Sequence, residues 1–251
     1  MNKIFILLIS LTIFFPAFAQ ENSNSAQTGL FKSTSTITKI LGPELANSYA
    51  EIIGENEDIK WEIQVPANYN PNNPPGILVY VSPQNQINPP IGWMKMIEDH
   101  NLIWIAATMS GNKIKSSKRI LKAMLSLGLM EESYKIDPKR VYITGFSGGG
   151  RIASIIAMNY PHIFKGAIYN CGANFWDNHT PARLDLIKNN RFVFITGTDD
   201  FNLIDTKKVY RKYKKADVKN TKLMIIANMA HKNPRPRKFA KAIEYLDNNS
   251  S

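Results

Sequence analysis

Two kinds of hydrophobic segment alternate along the chain. Short apolar runs rich in β-branched residues predict buried strands, and longer segments with apolar residues at helical spacing predict helices. The predicted strands are 59–66, 76–82, 102–109, 141–146, 166–171, 191–197 and 221–228. The clearest predicted helices are 115–134, 148–159, 206–216 and 235–247. This alternation is typical of an α/β fold with a mostly parallel, doubly wound sheet and helices on both faces.

The start of the chain has a different pattern. A lysine at position 3, an apolar run over 4–15 and the sequence Ala-Phe-Ala before residue 20 are typical of a secretory signal peptide. We expect residues 1–19 to be this leader, with cleavage after Ala19. The apolar run is too short for a membrane span, so we expect a secreted or periplasmic protein without stable membrane insertion.

The remainder predicts one domain. Residues 20–36 are polar and rich in Ser, Thr and Asn, which favours a flexible N-terminal tail. Residues 37–249 contain all the predicted strands and helices, with no linker that would divide them. Among the strands, 59–66 alternates apolar and polar residues, as a half-exposed edge strand would.

Charge and cysteine content limit the possible partners. The chain carries 31 Lys and Arg against 20 Asp and Glu, a net charge of +11. Its densest basic runs, 208–222 and 231–242, favour solvated faces or anionic partners. We expect no nucleic-acid partner, because no nucleic-acid-binding signature accompanies the charge and export argues against a genomic role. The single cysteine, Cys171, cannot form an internal disulfide and is interpreted as a buried apolar residue.

Ser147 is the strongest chemical candidate. It stands in Gly-Phe-Ser-Gly-Gly, between a predicted strand and a predicted helix, and so matches the Gly-x-Ser-x-Gly nucleophile elbow. Gly145 and Gly149 give room for the sharp turn, and the N–H of Gly148 at the helix start can bind a developing oxyanion. The alternative is a glycine-rich turn in which Ser147 only caps a helix.

A serine hydroxyl needs an adjacent base and an acid that orients it. With this elbow, both follow the serine in the chain, each after a strand, and the acid comes first. His231 directly follows strand 221–228 and is the favoured base, and His179 is an alternative in a loop. The acid is Asp199 or Asp200, after strand 191–197, with Asp205 as an outside candidate. His100 and His162 are interpreted as surface or core residues. This chemistry requires no metal and no cofactor.

With these residues in view, the chain resembles secreted esterases of the polyhydroxybutyrate-depolymerase-like and feruloyl-esterase-like group. The similarity is strongest over 134–172 and continues through 191–202 and 229–234. The resemblance implies an α/β-hydrolase fold. It also implies that the acid lies three residues after Gly197, which selects Asp200 and gives the triad Ser147, Asp200 and His231.

The sequence departs from that group at the second oxyanion donor. Relatives commonly carry His-Gly after the strand that corresponds to 76–82, where this chain has Val-Ser-Pro-Gln-Asn-Gln. Pro83 has no N–H to donate, so the donor is expected at Ser82 or Gln84, with Gln84 favoured. In the aromatic loop 169–180, Phe175 and Trp176 are candidates for the substrate pocket, although plain packing explains them equally well.

The leading hypothesis is a secreted serine hydrolase that cleaves carboxylic esters, either small molecules or esters linked to a polymer. Two alternatives stay open. One is a non-catalytic protein of the same fold that binds anionic envelope polymers, and the other is a peptidase or acyltransferase using the same triad.

Overall fold

The computed structural model describes residues 26–176, 180–181 and 183–248. The expected leader (1–19) and the alternative base His179 lie outside the described residues. The described strands are Gly29–Ser35 (β1), Ile59–Val65 (β2), Gly76–Val81 (β3), Leu102–Ala107 (β4), Val141–Phe146 (β5), Gly166–Asn170 (β6), Arg191–Gly197 (β7) and Thr221–Ile226 (β8). The described helices are Ile37–Leu41 (α1), Pro43–Asn47 (α2), Trp93–Asp99 (α3), Ser116–Glu131 (α4), Gly148–Asn159 (α5), Leu184–Asn189 (α6), Leu203–Lys215 (α7) and Pro236–Asp247 (α8).

The strands form one eight-stranded sheet in the order β1-β2-β4-β3-β5-β6-β7-β8. The pairs β1–β2 and β2–β4 are antiparallel, and the others are parallel. Strands β3, β4 and β6 are buried at every position, which explains why they read as continuous apolar runs. The prediction of a mostly parallel α/β sheet is confirmed.

The predicted flexible tail is wrong from residue 29 onward. Residues Gly29–Ser35 form β1, which pairs with β2 along its full length. The strand Ile59–Val65 therefore has neighbours on both sides, and β1 is the edge. The sequence hid this strand because Phe31 is its one large side chain packed against the core, while Leu30 faces solvent and the rest is mainly Ser, Thr and Lys. Backbone pairing with β2 forms a strand that hydrophobic periodicity does not reveal.

Helices cover both faces of the sheet and give two hydrophobic cores. One core lies under α1, α4, α5 and α7 and includes Ile156 and Tyr213. The other lies under α3 and α8 and includes Trp93 and Phe239. None of the helices within the described ranges is both apolar enough and long enough to cross a bilayer.

The second core is fixed by a contact between α3 and α8. The rings of Trp93 and Phe239 stack with centroids 3.8 Å apart, and both side chains are fully buried. The indole Nε1–H of Trp93 also donates to the carbonyl oxygen of Pro234 at 3.1 Å. This pair therefore holds the loop that leads from β8 into α8.

Replacing Phe239 with alanine is expected to lower the free energy of unfolding by about 3–5 kcal/mol, because it leaves a cavity beneath Trp93. The matched control is Ile91→Ala, since Ile91 is 97% exposed. That variant is expected to change the free energy by about 0.5 kcal/mol or less. Urea denaturation of both variants makes the measurement, and equal losses would contradict this account of the second core.

Candidate active site

Ser147 lies at the junction between β5 and α5 in a strained backbone conformation. Its φ is 53° and its ψ is −120°, a region that residues with a side chain rarely adopt. Its N–H donates to the carbonyl oxygen of Asn170 at 2.8 Å. A Cβ on Gly149 would collide with the carbonyl oxygen of Val81, and one on Gly145 would collide with the backbone of Gly149. These glycines let the helix turn back closely over the sheet.

The hydroxyl of Ser147 is directed at His231. The Oγ atom lies 2.9 Å from Nε2 of His231. Ser147 occupies the N-cap position of α5, yet its side chain makes no capping hydrogen bond. The alternative in which Ser147 merely caps the helix is therefore wrong.

Asp200 lies on the other side of the imidazole. Its Oδ1 is 2.8 Å from Nδ1 of His231, while the neighbouring Asp199 is exposed and accepts from the Thr198 hydroxyl. With the proton on Nδ1, Nε2 is left as an acceptor facing the serine. The structure thus brings Ser147, His231 and Asp200 together in a continuous hydrogen-bonded chain.

The carboxylate of Asp200 is held in place by its own strand and turn. The Thr196 hydroxyl donates to Oδ2 at 2.7 Å, and the N–H of Asn202 donates to Oδ1 at 3.0 Å. Burial by itself raises the pKa of Asp200, but the hydrogen bonds from Asn202, Thr196 and His231 outweigh burial and bring the pKa below its ordinary value. The group is therefore ionised at neutral pH and oriented towards the imidazole.

The other titratable candidates lie elsewhere. His100 ends α3 with Nδ1 against the carbonyl oxygen of Met96, at the edge of the sheet opposite Ser147. His162 follows α5 and contacts the ring of Tyr160. Asp205 is exposed in the first turn of α7. The structure brings none of these three to the Ser147 hydroxyl.

Cys171 is fully buried next to Asp200. Its thiol donates to the carbonyl oxygen of Lys232 at 3.4 Å, and burial raises its pKa, so it stays protonated. Cys171, Asp200 and His231 offer possible metal-ligand atoms within 4.8 Å of one another. Because two of these groups bond to each other and the third is a protonated thiol, the arrangement fits the neighbourhood of a triad better than a metal site.

The predicted second oxyanion donor already has a hydrogen-bond acceptor in the structure. The N–H of Gln84, the favoured second donor, donates to the Ser82 hydroxyl at 3.0 Å. The prediction for Gln84 therefore requires that bond to break, and it stays a prediction. A Cβ on Gly148 would meet the side-chain amide of Asn112, its Oδ1 first, so this amide lies against the residue whose N–H is the expected first oxyanion donor. Asn112 was missed because it stands in a polar loop with no motif.

The loops 82–85 and 108–112 are bound to each other. The N–H of Asn112 donates to the carbonyl oxygen of Pro83, and the N–H of Met109 donates to that of Asn85. Two buried cations of α4 donate hydrogen bonds to these loops. Arg119 donates to the carbonyl oxygen of Ser82, and Lys122 donates to that of Met109. Loops 82–85 and 108–112 are therefore held to each other and to α4 by hydrogen bonds.

One aromatic neighbour of His231, Phe201, was also missed. The ring of Phe201 lies 4.0 Å from the imidazole, centroid to centroid. The predicted pocket residues Phe175 and Trp176 instead stack on each other and pack edge-on against Tyr213 of α7. Trp176 is buried in that packing, which explains it without substrate, whereas Phe175 is half-buried and its role in a substrate pocket stays a prediction. Phe201 directly follows Asp200 in the sequence, and this position was the available signal that it lies beside the site.

Comparison with known proteins agrees with this architecture. The BD-FAE family model matches residues 122–251, more than half of the chain. Poly(3-hydroxyalkanoate) depolymerase C from Paucimonas lemoignei is 45% identical over 38 residues, which cover 15% of this chain and 9% of that enzyme. The match thus spans less than a tenth of this relative's length.

Solved structures share the fold at low sequence identity. A ferulic acid esterase superposes with a TM-score of 0.62 at 14% identity, covering 87% of this chain and 97% of that one. The feruloyl esterase module from Clostridium thermocellum gives 0.61 at 13% identity, covering 89% and 90%. The family model covers more than half of the chain and the shared fold agrees with it, so the chain belongs to the BD-FAE family, among the esterases of the α/β-hydrolase group.

Proposed function

We propose that this protein hydrolyses carboxylic esters by a two-step mechanism with Ser147 as nucleophile, His231 as base and Asp200 as the group that orients the base. The observation that carries the proposal is the pair of hydrogen bonds at the imidazole, 2.9 Å to the serine Oγ and 2.8 Å to the carboxylate. These distances are within the range required for proton transfer and orientation.

In the first step the Ser147 Oγ attacks the ester carbonyl carbon while Nε2 of His231 takes the hydroxyl proton. The carboxylate of Asp200 stabilises the imidazolium that forms. The tetrahedral intermediate then collapses, His231 returns the proton to the leaving alcohol, and the acyl group remains on Ser147. Water attacks this acyl-enzyme by the same route in reverse and releases the acid.

The negative charge of both tetrahedral intermediates needs two donors. The N–H of Gly148 is the first, since it is free of intrahelical bonding at the start of α5. We propose the Asn112 side-chain amide as the second, because it borders Gly148 while the N–H of Gln84 is engaged by Ser82. Rotation about the Cβ–Cγ bond of Asn112 exchanges its oxygen and NH₂ group, so the donor can face the oxyanion.

Export belongs to the same proposal. The leader pattern of residues 1–19 supports action in the periplasm or outside the cell, on an ester supplied by the surroundings. The triad acts on the ester bond itself, so it does not specify the acyl or the alcohol group of the substrate.

Labelling with a fluorophosphonate tests the nucleophile. We expect wild-type protein to be labelled and Ser147→Ala to be unlabelled, with kcat for p-nitrophenyl acetate reduced by roughly 10⁴- to 10⁶-fold. His231→Ala should reduce kcat comparably, and the double variant should be no worse, because the residues act as one unit. The control Ser133→Ala, at an exposed serine, should keep full labelling. Labelling that persists in Ser147→Ala would contradict the proposal, and unlabelled wild-type protein would favour the binding-only alternative.

Two variants separate the candidate oxyanion donors. Asn112→Ala is expected to lower kcat by about 10²-fold with little change in KM, because the lost bond forms with the intermediate only. Ser82→Ala releases the N–H of Gln84 from its present acceptor. If Gln84 were the donor instead, Ser82→Ala would raise kcat and Asn112→Ala would leave it unchanged. Steady-state kinetics with p-nitrophenyl acetate decide between the two.

The role of Asp200 predicts a pH dependence of stability. Since its pKa is lowered in the folded protein, its contribution is fully present above the unfolded value of about 3.9 and is lost as the pH falls through the folded value. The wild type should therefore keep its stability advantage over Asp200→Asn down to about pH 5 and lose it progressively as the pH falls further, to below about pH 3. Urea denaturation at several pH values measures this, and an advantage that grows on acidification would refute it.

The same variant has a kinetic effect. Asp200→Asn should lower kcat by about 10³- to 10⁴-fold, because the amide favours the wrong imidazole tautomer. The matched control, Asp199→Asn, changes an exposed carboxylate one residue away and should leave kcat within about twofold.

A further inference from the structure

Helix α7 carries a straight row of exposed side chains that begins beside the catalytic histidine proposed above. Phe201, just before the helix, is followed by Ile204, Lys208, Arg211 and Lys215 at intervals of three or four residues, and all five are exposed. Residues at this spacing lie on one face of a helix. We refer to these five residues as the α7 stripe.

The first two members of the stripe are large apolar side chains in solvent. Phe201 is 76% exposed although its ring lies 4.0 Å from the imidazole of His231, and Ile204 is 77% exposed. Core packing does not explain them, because the opposite face of α7 buries Val209 and Tyr213 against the sheet. Phe201 and Ile204 are therefore exposed apolar side chains at the end of the stripe that begins beside His231.

The remaining members of the stripe, Lys208, Arg211 and Lys215, are exposed cations. Among the described residues, none of Lys208, Arg211 and Lys215 forms an ion pair, and Asp205 is the single acidic residue within α7. Cations in the last turn, such as Lys215, interact favourably with the helix dipole. Lys208 and Arg211 lie in the middle of the helix, where neighbouring like charges destabilise it. These three cations are therefore exposed on one face of α7 and available to an anionic ligand.

We propose that the α7 stripe binds a water-soluble anionic polysaccharide that carries the ester. Its carboxylate groups lie along Lys208, Arg211 and Lys215, which span about 10 Å of helix axis, and its ester lies over Phe201 and Ile204 beside His231. This inference rests on the proposed function and names the carrier of its substrate. The charge complementarity and the continuity of the stripe with His231 support it.

An anionic membrane surface is the other polyanion that a row of cations attracts. A helix that lies in a membrane interface inserts an apolar face along its whole length. In α7 that face is already packed into the core through Val209 and Tyr213, and the exposed apolar residues are confined to the end next to the active site. A linear carrier in water fits this distribution better than a lipid surface.

The test compares two ester probes with the same acyl group, one on a uronate oligosaccharide and one on a neutral oligosaccharide of equal length. Wild-type kcat/KM should favour the uronate probe at low salt, and the preference should disappear at high ionic strength. The variant K208Q/R211Q/K215Q should lose about tenfold of that preference and keep its kcat/KM for p-nitrophenyl acetate. The control K39Q/K135Q/K139Q removes the same charge from exposed lysines in α1 and ahead of β5, and it should keep the preference.

Each outcome of these measurements either supports or overturns the proposal. A preference that survives in the stripe variant, or is lost equally in the control, overturns the proposal. Binding of the uncleaved uronate oligosaccharide to Ser147→Ala, measured by calorimetry, reports on the stripe even if p-nitrophenyl acetate is not turned over, so a failed proposed function is distinguished from a failed docking site. Loss of binding to phosphatidylglycerol vesicles in the stripe variant, with an unchanged uronate preference, would show a membrane surface instead and also overturn the proposal.

Discussion

The active-site geometry depends on one strained residue, Ser147, whose backbone is held at a positive φ between a buried strand and a buried helix. Such a conformation costs on the order of 1–3 kcal/mol. It persists because the surroundings leave no alternative: the N–H of Ser147 is bound to the carbonyl oxygen of Asn170, and the helix packs against the sheet through Ile152 and Ile156. At Gly149 the backbone approaches the end of β3 so closely that any side chain would collide with it.

The partners of Ser147 arrive from two later strands, and each is fixed by local bonds. Thr196, within β7, holds the carboxylate of Asp200 before the chain turns into α7. His231 lies between the rings of Phe146 and Phe201, in the loop that follows β8. Because β5, β7 and β8 run parallel, their carboxyl ends meet at one edge of the sheet. Residues distant in sequence therefore converge there.

The sequence predicted the features that follow from burial and chain order. Continuous apolar runs gave the inner strands, and the position of each polar candidate after a strand placed Ser147 and His231 at the same edge. Patterning failed where backbone pairing or loop contacts dominate. Strand β1 has too little hydrophobic signal, and Asn112 reaches Gly148 through bonds between two irregular loops. The residues alone did not decide whether Asp199 or Asp200 is the acid, because the two differ only in the direction in which each side chain points from the turn.

The hydrogen bond from Trp93 to Pro234 joins a residue outside the region that the family model matches to a residue inside it. Trp93 precedes the matched region 122–251, yet its indole holds the loop that carries His231. Strand β3 also precedes that region, and it lies between β4 and β5 at the centre of the sheet. A fragment limited to the matched half would have an open edge at β5 and an unanchored histidine loop. The smallest unit able to hold this geometry therefore includes the first half of the chain, which supplies the central strand β3 and the indole that anchors the histidine loop.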